Sequence, residues 1–376
     1  MEVMERAFAL EAQGRRVLHL EIGEPQFAPP RAAKEALLEA LEDGETHYTD
    51  SRGLAELREA IAADAQRRHG VSIDPERVLV SSGTSPAMLL VFSLLLEPGD
   101  EVVMGTPHYP CYPNFVRYCG GRPVFVPTRV ADGYALDPDA VRAAMGPRTR
   151  AIVTNSPANP TGAIQSPDTL RALAGFGVPL LSDEIYDGLV YDDTPSISAL
   201  GLGDDVFVFD GCSKRYAMTG FRLGWVVAPV PALRPLQVMQ QNFFISASRF
   251  VQHAAIAALE QGAESVAAMR TICERRRRKL AEGLRSLGFG IPHLPAGAFY
   301  LLADARHLSS DSRALAFELL EKAGVGATPG IDFGEAAEGH LRFCYAVSED
   351  TLDAALEALA RVVPELTDAR GTELSA

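Results

Sequence analysis

Gly211-Cys212-Ser213-Lys214-Arg215-Tyr216-Ala217-Met218-Thr219-Gly220-Phe221-Arg222-Leu223-Gly224-Trp225 comes directly after the apolar run Val206-Phe207-Val208-Phe209. The run reads as a buried strand, and residues 211–223 as a glycine-rich turn into a second strand over 224–228. Lys214 is one of only four lysines in the chain. The other three, Lys34, Lys279 and Lys322, sit among Glu, Arg and Ala in segments with helical spacing. Lys214 alone is set among small, aromatic and glycine residues, with Arg222 eight positions later. A lysine that ends a buried strand, beside a cation and a glycine-rich turn, suits an amine that forms a Schiff base near a bound anion.

Working outward from this turn, residues 50 to 265 alternate helical and short β-branched stretches. That is the signature of a mostly parallel sheet covered on both faces by helices. The expected strands are 78–81, 101–104, 123–126, 151–154, 179–182, 206–209 and 224–228, a seven-stranded α/β sheet. Helices are expected over 54–63 and 86–96, with Pro98-Gly99 marking the next turn. From about residue 266 the pattern changes to long helices, a Pro-Ala-Gly segment at 295–297 and a final helix carrying Leu352, Leu356, Leu359 and Val363. This reads as a smaller α+β domain. The start, residues 1–13, reads as an amphipathic helix, and the tail from Thr367 as polar and frayed.

The bulk numbers exclude several classes. A formal net charge of −14 argues against nucleic-acid binding, and the run Arg275-Arg276-Arg277-Arg278-Lys279 falls inside a helical pattern, as a solvated face would. No stretch is long and apolar enough to span a bilayer. Five scattered cysteines without a C-x-x-C pair imply reduced thiols, a cytoplasmic setting, and neither a metal site nor a disulfide framework.

Ligands of open α/β sheets bind beyond the carboxyl ends of the strands, and the polar motifs fall there. Gly83-Thr84-Ser85-Pro86 opens a helix after the strand at 78–81; free N–H groups at such a terminus favour phosphate, although Ser-Pro is equally an ordinary helix start. Asn155-Ser156-Pro157-Ala158-Asn159-Pro160-Thr161-Gly162 makes a rigid turn after 151–154. Asp183, in Asp183-Glu184-Ile185-Tyr186, ends the strand at 179–182, where an Asp is commonly a helix cap.

Taken together, S-K-x-Y-x-M-T-G-x-R-x-G-W around Lys214 and N-P-T-G at 159–162 resemble the pyridoxal-phosphate aminotransferases of fold type I, the aspartate-aminotransferase-like class I and II group. The matches run in the family's order from Gly23 to Arg342. The resemblance implies that Lys214 carries pyridoxal 5'-phosphate as a Schiff base. It implies that Arg222, Gly83, Thr84, Ser85 and Ser213 hold the phosphate. Asp183 would pair with the pyridine nitrogen, Tyr186 and Asn159 would reach the phenolic oxygen, and Tyr109 would stack on the ring. Gly23, Asn159 and Arg342 would receive the substrate α-carboxylate, Arg342 through its planar fork. Tyr48 resembles the tyrosine that crosses a dimer interface to the neighbour's phosphate, so a homodimer is implied. Many relatives carry a serine three before the lysine where this chain has Gly211; either Ser213 substitutes or the phosphate has one contact fewer. The family also implies a large domain at 31–265, with 1–30 joining 266–376 in the small one. An arm usually precedes the first helix, so here either it is absent or the true start lies upstream.

The implied reaction is ping-pong transfer of an amino group between an L-amino acid and a 2-oxo acid. The rivals are another reaction at Cα or Cβ, as in C–S lyases and aminocyclopropane-carboxylate synthases, and a regulatory domain that senses the cofactor; the latter needs a fused DNA-binding domain, for which the short acidic N-terminus leaves no room. Substrate identity is not legible, although the cluster Gln240-Gln241-Asn242-Phe243-Phe244 is a candidate pocket wall that core packing explains equally well.

Overall fold

A computed structural model describes residues 2–195 and 197–373, with 368–373 as backbone alone. After the short strand β1 (Leu18–His19), the strands β2 (Val78–Ser81), β3 (Glu101–Thr106), β4 (Arg122–Pro127), β5 (Thr149–Asn155), β6 (Leu180–Asp183), β7 (Val206–Gly211) and β8 (Gly224–Val227) are reached. The last seven form one sheet in the order β2-β8-β7-β6-β5-β3-β4. β8 runs antiparallel to β2 and β7, and the remaining pairs are parallel. β2, β6, β7 and β8 are buried along their whole length, as strands with helices on both faces must be, and so they read as unbroken apolar runs. β4 lies at the sheet edge with Arg122 and Phe125 exposed, and it is there that Pro123 and Pro127 are tolerated.

Separate apolar layers cover the two faces. One centres on Leu79, Met88, Phe92, Val102 and Phe207 under the helix Thr84–Leu95. The other centres on Leu57, Ile61, Val78, Ile152 and Val208 under the helices Ala55–His69 and Arg249–Gln261. The carboxyl ends of all the parallel strands share one rim with the start of the reversed β8.

The C-terminal part carries β9 (Tyr300–Asp304), β10 (Val325–Gly326), β11 (Thr328–Pro329) and β12 (His340–Cys344). β11, β12 and β9 make an antiparallel sheet, and β10 pairs in parallel with β1. The helix Glu2–Ala12 buries Val3, Ala7 and Leu10, the face its spacing predicts. These residues share one apolar core with Leu319, Phe343, Leu352 and Leu359, so the two chain ends pack together. Ile185 and Tyr186, just past β6, belong to this same core.

Two expectations need correction. The basic run lies within the helix Ala263–Ser286, but Arg277 is fully buried, donating to Pro295 O (2.6 Å) and Asp192 Oδ2 (2.5 Å). One residue of that run is therefore an internal brace, because its position faces the core side of the helix. The tail continues the last helix, Glu349–Glu373, past Thr367; residues 374–376 lie outside the described part.

Candidate active site

Lys214 leaves the rim four residues after Asp210, in the turn joining β7 to β8. Its Nζ donates to Gly23 O at 2.6 Å, and Thr219 Oγ1 bonds Glu24 in the same segment. The lysine turn is thus tied to the strand-like stretch after β1. Burial is the main force on the amine. With Arg342 and Arg222 acting in the same direction, against Cys344 and Glu24, it brings the Lys214 pKa down to about 8.

Asp183 ends β6, where its Oδ2 accepts from Tyr112 Oη (2.5 Å) and its Oδ1 from Ile185 N (3.2 Å). Burial raises it to about 6, while those donors and the Lys214 charge oppose the rise. Asn155 Nδ2 donates to Asp183 O (2.9 Å) and its Oδ1 accepts from Asn159 N (2.8 Å), so one side chain locks the Asn-Pro-Thr-Gly turn to β6. Tyr186 Oη lies 2.8 Å from Tyr300 Oη. Burial keeps Tyr109, Tyr186 and Tyr300 protonated, and their hydroxyls remain available as donors.

Arg342, in the middle of β12, enters from the other side of the cavity. Nη1 donates to Asn159 Oδ1 (3.0 Å), and Nη2 to Glu21 O (2.5 Å) and Thr328 Oγ1 (3.0 Å). The guanidinium lies 4.3 Å over the Tyr300 ring. A guanidinium has five N–H groups. These bonds spend three of the five and leave Nε–H and one Nη1–H, and Nε is buried with no hydrogen-bond partner among the described residues. A cation fixed by three anchors at the cavity wall, with donors still unspent, is a receptor for a carboxylate.

At the opposite end Gly83 begins the helix Thr84–Leu95 with φ +105°, a backbone angle that side chains rarely adopt. A Cβ there would stand 2.8 Å from Arg222 Nη2, so the guanidinium lies directly over the helix start. Arg222 itself has φ +53° and is aimed by its bond from Nη1 to Thr219 O (2.9 Å). A non-glycine residue held in that region is a mark of functional constraint. Unpaired N–H groups of a first helical turn under a guanidinium form a cradle for a phosphate.

One cavity of about 590 Å3 joins these ends. Its wall includes Gly23, Thr84, Ser85, Tyr109, Asn159, Asp183, Tyr186, Ser213, Lys214, Arg222 and Arg342, with Gly83 beside it under Arg222. The lysine, the strand-end carboxylate, the phosphate cradle and the carboxylate receptor therefore face one space, and their donor set fits pyridoxal phosphate. Tyr48 stands apart, 78% exposed on the surface. The cluster at 240–244 also lies elsewhere. It ends the helix Val230–Phe243, where Gln240 Nε2 is turned inward to Val80 O (3.3 Å). Sequence reasoning missed Tyr112, Asn155, Tyr300 and Thr328. Only Tyr112 had a local signal, one helical turn after Tyr109 and so on the same side.

The family profile described as aminotransferase class I and II matches residues 15–359. The aspartate/prephenate aminotransferase of Thermus thermophilus is 39% identical over 368 residues, covering 96% of this chain and 94% of the relative. The arginine–pyruvate transaminase of Pseudomonas aeruginosa is 35% identical, covering 97% and 94%. Among solved structures, aspartate aminotransferase from T. thermophilus with maleate superposes with a TM-score of 0.92 at 39% identity, over 96% of this chain and 95% of that one. The chain is a member of the class I and II aminotransferases, enzymes that use pyridoxal phosphate to transfer amino groups.

Proposed function

We propose that Lys214, Asp183, Arg342 and the Gly83–Arg222 cradle are the working parts of this aminotransferase, acting on an L-amino acid and a 2-oxo acid in turn. The convergence of these groups on one cavity carries the reading. When bound, pyridoxal phosphate supplies a carbonyl carbon for an amine and an electron-withdrawing ring. The N–H groups at 83–85, Ser213 and Arg222 hold the phosphate. Asp183, ionised above about pH 6, keeps a proton on the ring nitrogen, and Tyr112 and the Ile185 N–H favour that charged form. Tyr186 and Asn159 direct hydrogen bonds at the phenolic oxygen, and Tyr109 covers the ring face. Gly23 lines the same cavity as Arg342, whose unspent N–H donors would fix the α-carboxylate and so orient the Cα–H bond toward Lys214. The amine of Lys214, held near a pKa of 8 by burial, would serve as the base that takes the proton from the substrate Cα and holds it for return, with the bound cofactor supplying the electron-withdrawing ring.

Further parts of the reading concern the assembly. The working unit is a homodimer in which Tyr48 reaches the neighbouring site. Its exposure, and that of Phe243 and Ile245 at 66% and 47%, supports a covered surface. Residues 31–265 form the large domain, and 1–30 with 266–376 the small one, as the shared core of the chain ends supports. A cytoplasmic location is supported by five free cysteines; no helix among the described residues is long and apolar enough to cross a membrane. The relatives' names include aspartate and arginine, so the donor is open.

The test is the visible spectrum of the purified protein and of Lys214→Ala, titrated with single amino acids. A donor-dependent loss of the cofactor band with release of the matching 2-oxo acid supports transamination, and the best donor names the substrate. Release of ammonia, a thiol or a cyclised product instead moves the protein to a lyase or cyclase. An unchanged spectrum in Lys214→Ala refutes the lysine assignment.

A further inference from the structure

Behind the cavity a second set of charges crowds against Asp183, and of its members only Asp183 takes part in the proposed chemistry. Five carboxylates crowd the strand ends in the interior: Asp64, Asp183, Glu184, Asp187 and Asp210, each less than a tenth exposed. They come from three elements: the last turns of the helix Ala55–His69, the exit of β6 and the end of β7. Arg215, the residue after Lys214, enters this group and is 2% exposed. Its Nη2 lies 3.0 Å from Asp64 Oδ2 and 3.6 Å from Asp210 Oδ2. Arg68 Nη1 reaches the same two oxygens at 3.0 and 3.5 Å, and Arg68 also pairs with Asp187. His69 Nε2 closes the set at 2.8 Å from Asp187 Oδ2. Arg215 is the deepest cation of the set, and its guanidinium lies 4.8 Å from the Tyr216 ring centre.

Acids buried this close cannot all stay ionised without internal cations. Asp64, Glu184 and Asp183 act on Asp210 as like charges, and Asp183 on Glu184, so the protonation states of these acids depend on one another. Glu184 is held by Ser182 Oγ and Ala199 N (both 2.8 Å), and Asp210 by Gly211 N (2.7 Å). Asp183 faces Tyr112, the Ile185 N–H and Lys214 on its cavity side, while Arg215, Arg68 and Arg67, the last 3.1 Å from Asp64 Oδ1, bring positive charge to the acids behind it.

We propose that Arg215 is a positioning residue for the amino-transfer site: paired with Asp64 and Asp210, it lets Asp183 remain a carboxylate and fastens the helix Ala55–His69 to the β7 exit. This rests on the reading of Asp183 as the partner of the ring nitrogen. Loss of Arg215 leaves the remaining acids uncompensated, and Asp183 takes up a proton at higher pH. Loss of Asp64 frees Arg215 charge and acts in the opposite sense.

The test is cofactor affinity against pH in the full-length, cofactor-stripped protein. Its readout is quenching of Trp225, the single tryptophan, which is paired with Asp210 across β7 and β8. In the wild type, affinity weakens on the acid side with the protonation of Asp183. Arg215→Met moves that acid midpoint up by about one pH unit, Asp64→Asn moves it down, the double variant returns it to the wild-type value, and Arg215→Lys leaves it in place. Midpoints unmoved in Arg215→Met and Asp64→Asn, with only the melting temperature lowered, overturn the proposal. If Arg215→Met does not fold, the downward shift in Asp64→Asn decides. Asp183→Asn separates the two ideas: an acid limb that persists in it refutes the assignment of Asp183 itself, whatever Arg215 does.

Discussion

Replacing Arg342 with lysine keeps the charge and removes the fork. In the structure three of the five guanidinium hydrogens are spent on Asn159, Glu21 and Thr328, and Arg342 lines the cavity with two unspent. Lysine has three donors in all and cannot keep all three anchors while still serving a substrate, so at least one charged hydrogen bond to the substrate carboxylate is lost. Such a bond contributes about 1.5–3 kcal/mol, which corresponds to a fall in kcat/KM of roughly 10- to 150-fold. The assay is steady-state transamination with the best donor, at full cofactor occupancy checked by the visible spectrum. An amine lacking the α-carboxylate serves as the control, and its slow reaction should be unchanged. A fall of less than about threefold with the amino acid, or an equal fall with the control amine, would refute the role given to the Arg342 guanidinium.

Gly83→Ala places a Cβ 2.8 Å from Arg222 Nη2 and a side chain at φ +105°; the guanidinium must move off the cradle and the backbone is strained by about 1–3 kcal/mol, which should appear as roughly 5- to 150-fold weaker cofactor binding by equilibrium dialysis. His19 is raised to about 8, chiefly by its hydrogen bond to Glu21 at 2.6 Å. Its stabilisation is fully present below the unfolded value near 6.5 and is lost as pH rises through 8. It is on the order of 1 kcal/mol after allowance for partial exposure. The stability difference between wild type and His19→Asn, from urea melts at pH 6 and pH 9, should shrink by that amount; a constant difference would remove His19 as the source. Tyr48→Phe should weaken phosphate binding only if a neighbour supplies the site. Mixing it with Lys214→Ala then yields hybrid dimers whose activity differs from the mean of the parents, and strict averaging would count against sharing.

The sheet was legible because its strands are buried on both faces and stand out as unbroken apolar runs. The strand at 78–81 matches β2 to the residue, and the others differ only at their ends, where pairing continues into polar residues such as Asn155 and Asp183. The site was legible where its chemistry needs a fixed neighbour in sequence: Lys214 after a strand, Gly83 before a helix, Asn159 in a proline-rich turn. It was not legible where a partner arrives from far along the chain. Tyr300 meets Tyr186 across 114 positions and Arg342 meets Asn159 across 183, and no local pattern marks either. The buried acids behave likewise. Asp64 looks like one more charge on a polar helix until the fold sets it against Arg215.

The exposed or buried state of Gly211 matters less than what lies across from it. Gly211 pairs with Gly224 in β7 and β8. A Cβ on Gly211 would stand 2.9 Å from Gly224 Cα, and one on Gly224 would stand 2.7 Å from Thr84 N. The glycines at 211 and 224 therefore form a stack three backbones deep with the 83–84 turn, and any side chain added at one layer is transmitted to the next. A serine at 211 requires β8 and the phosphate-side turn to shift together. The stacked rim therefore behaves as one mechanical unit that has no room for a hydroxyl at 211, and the hydroxyls this turn presents to the cavity are those of Ser213 and Thr219.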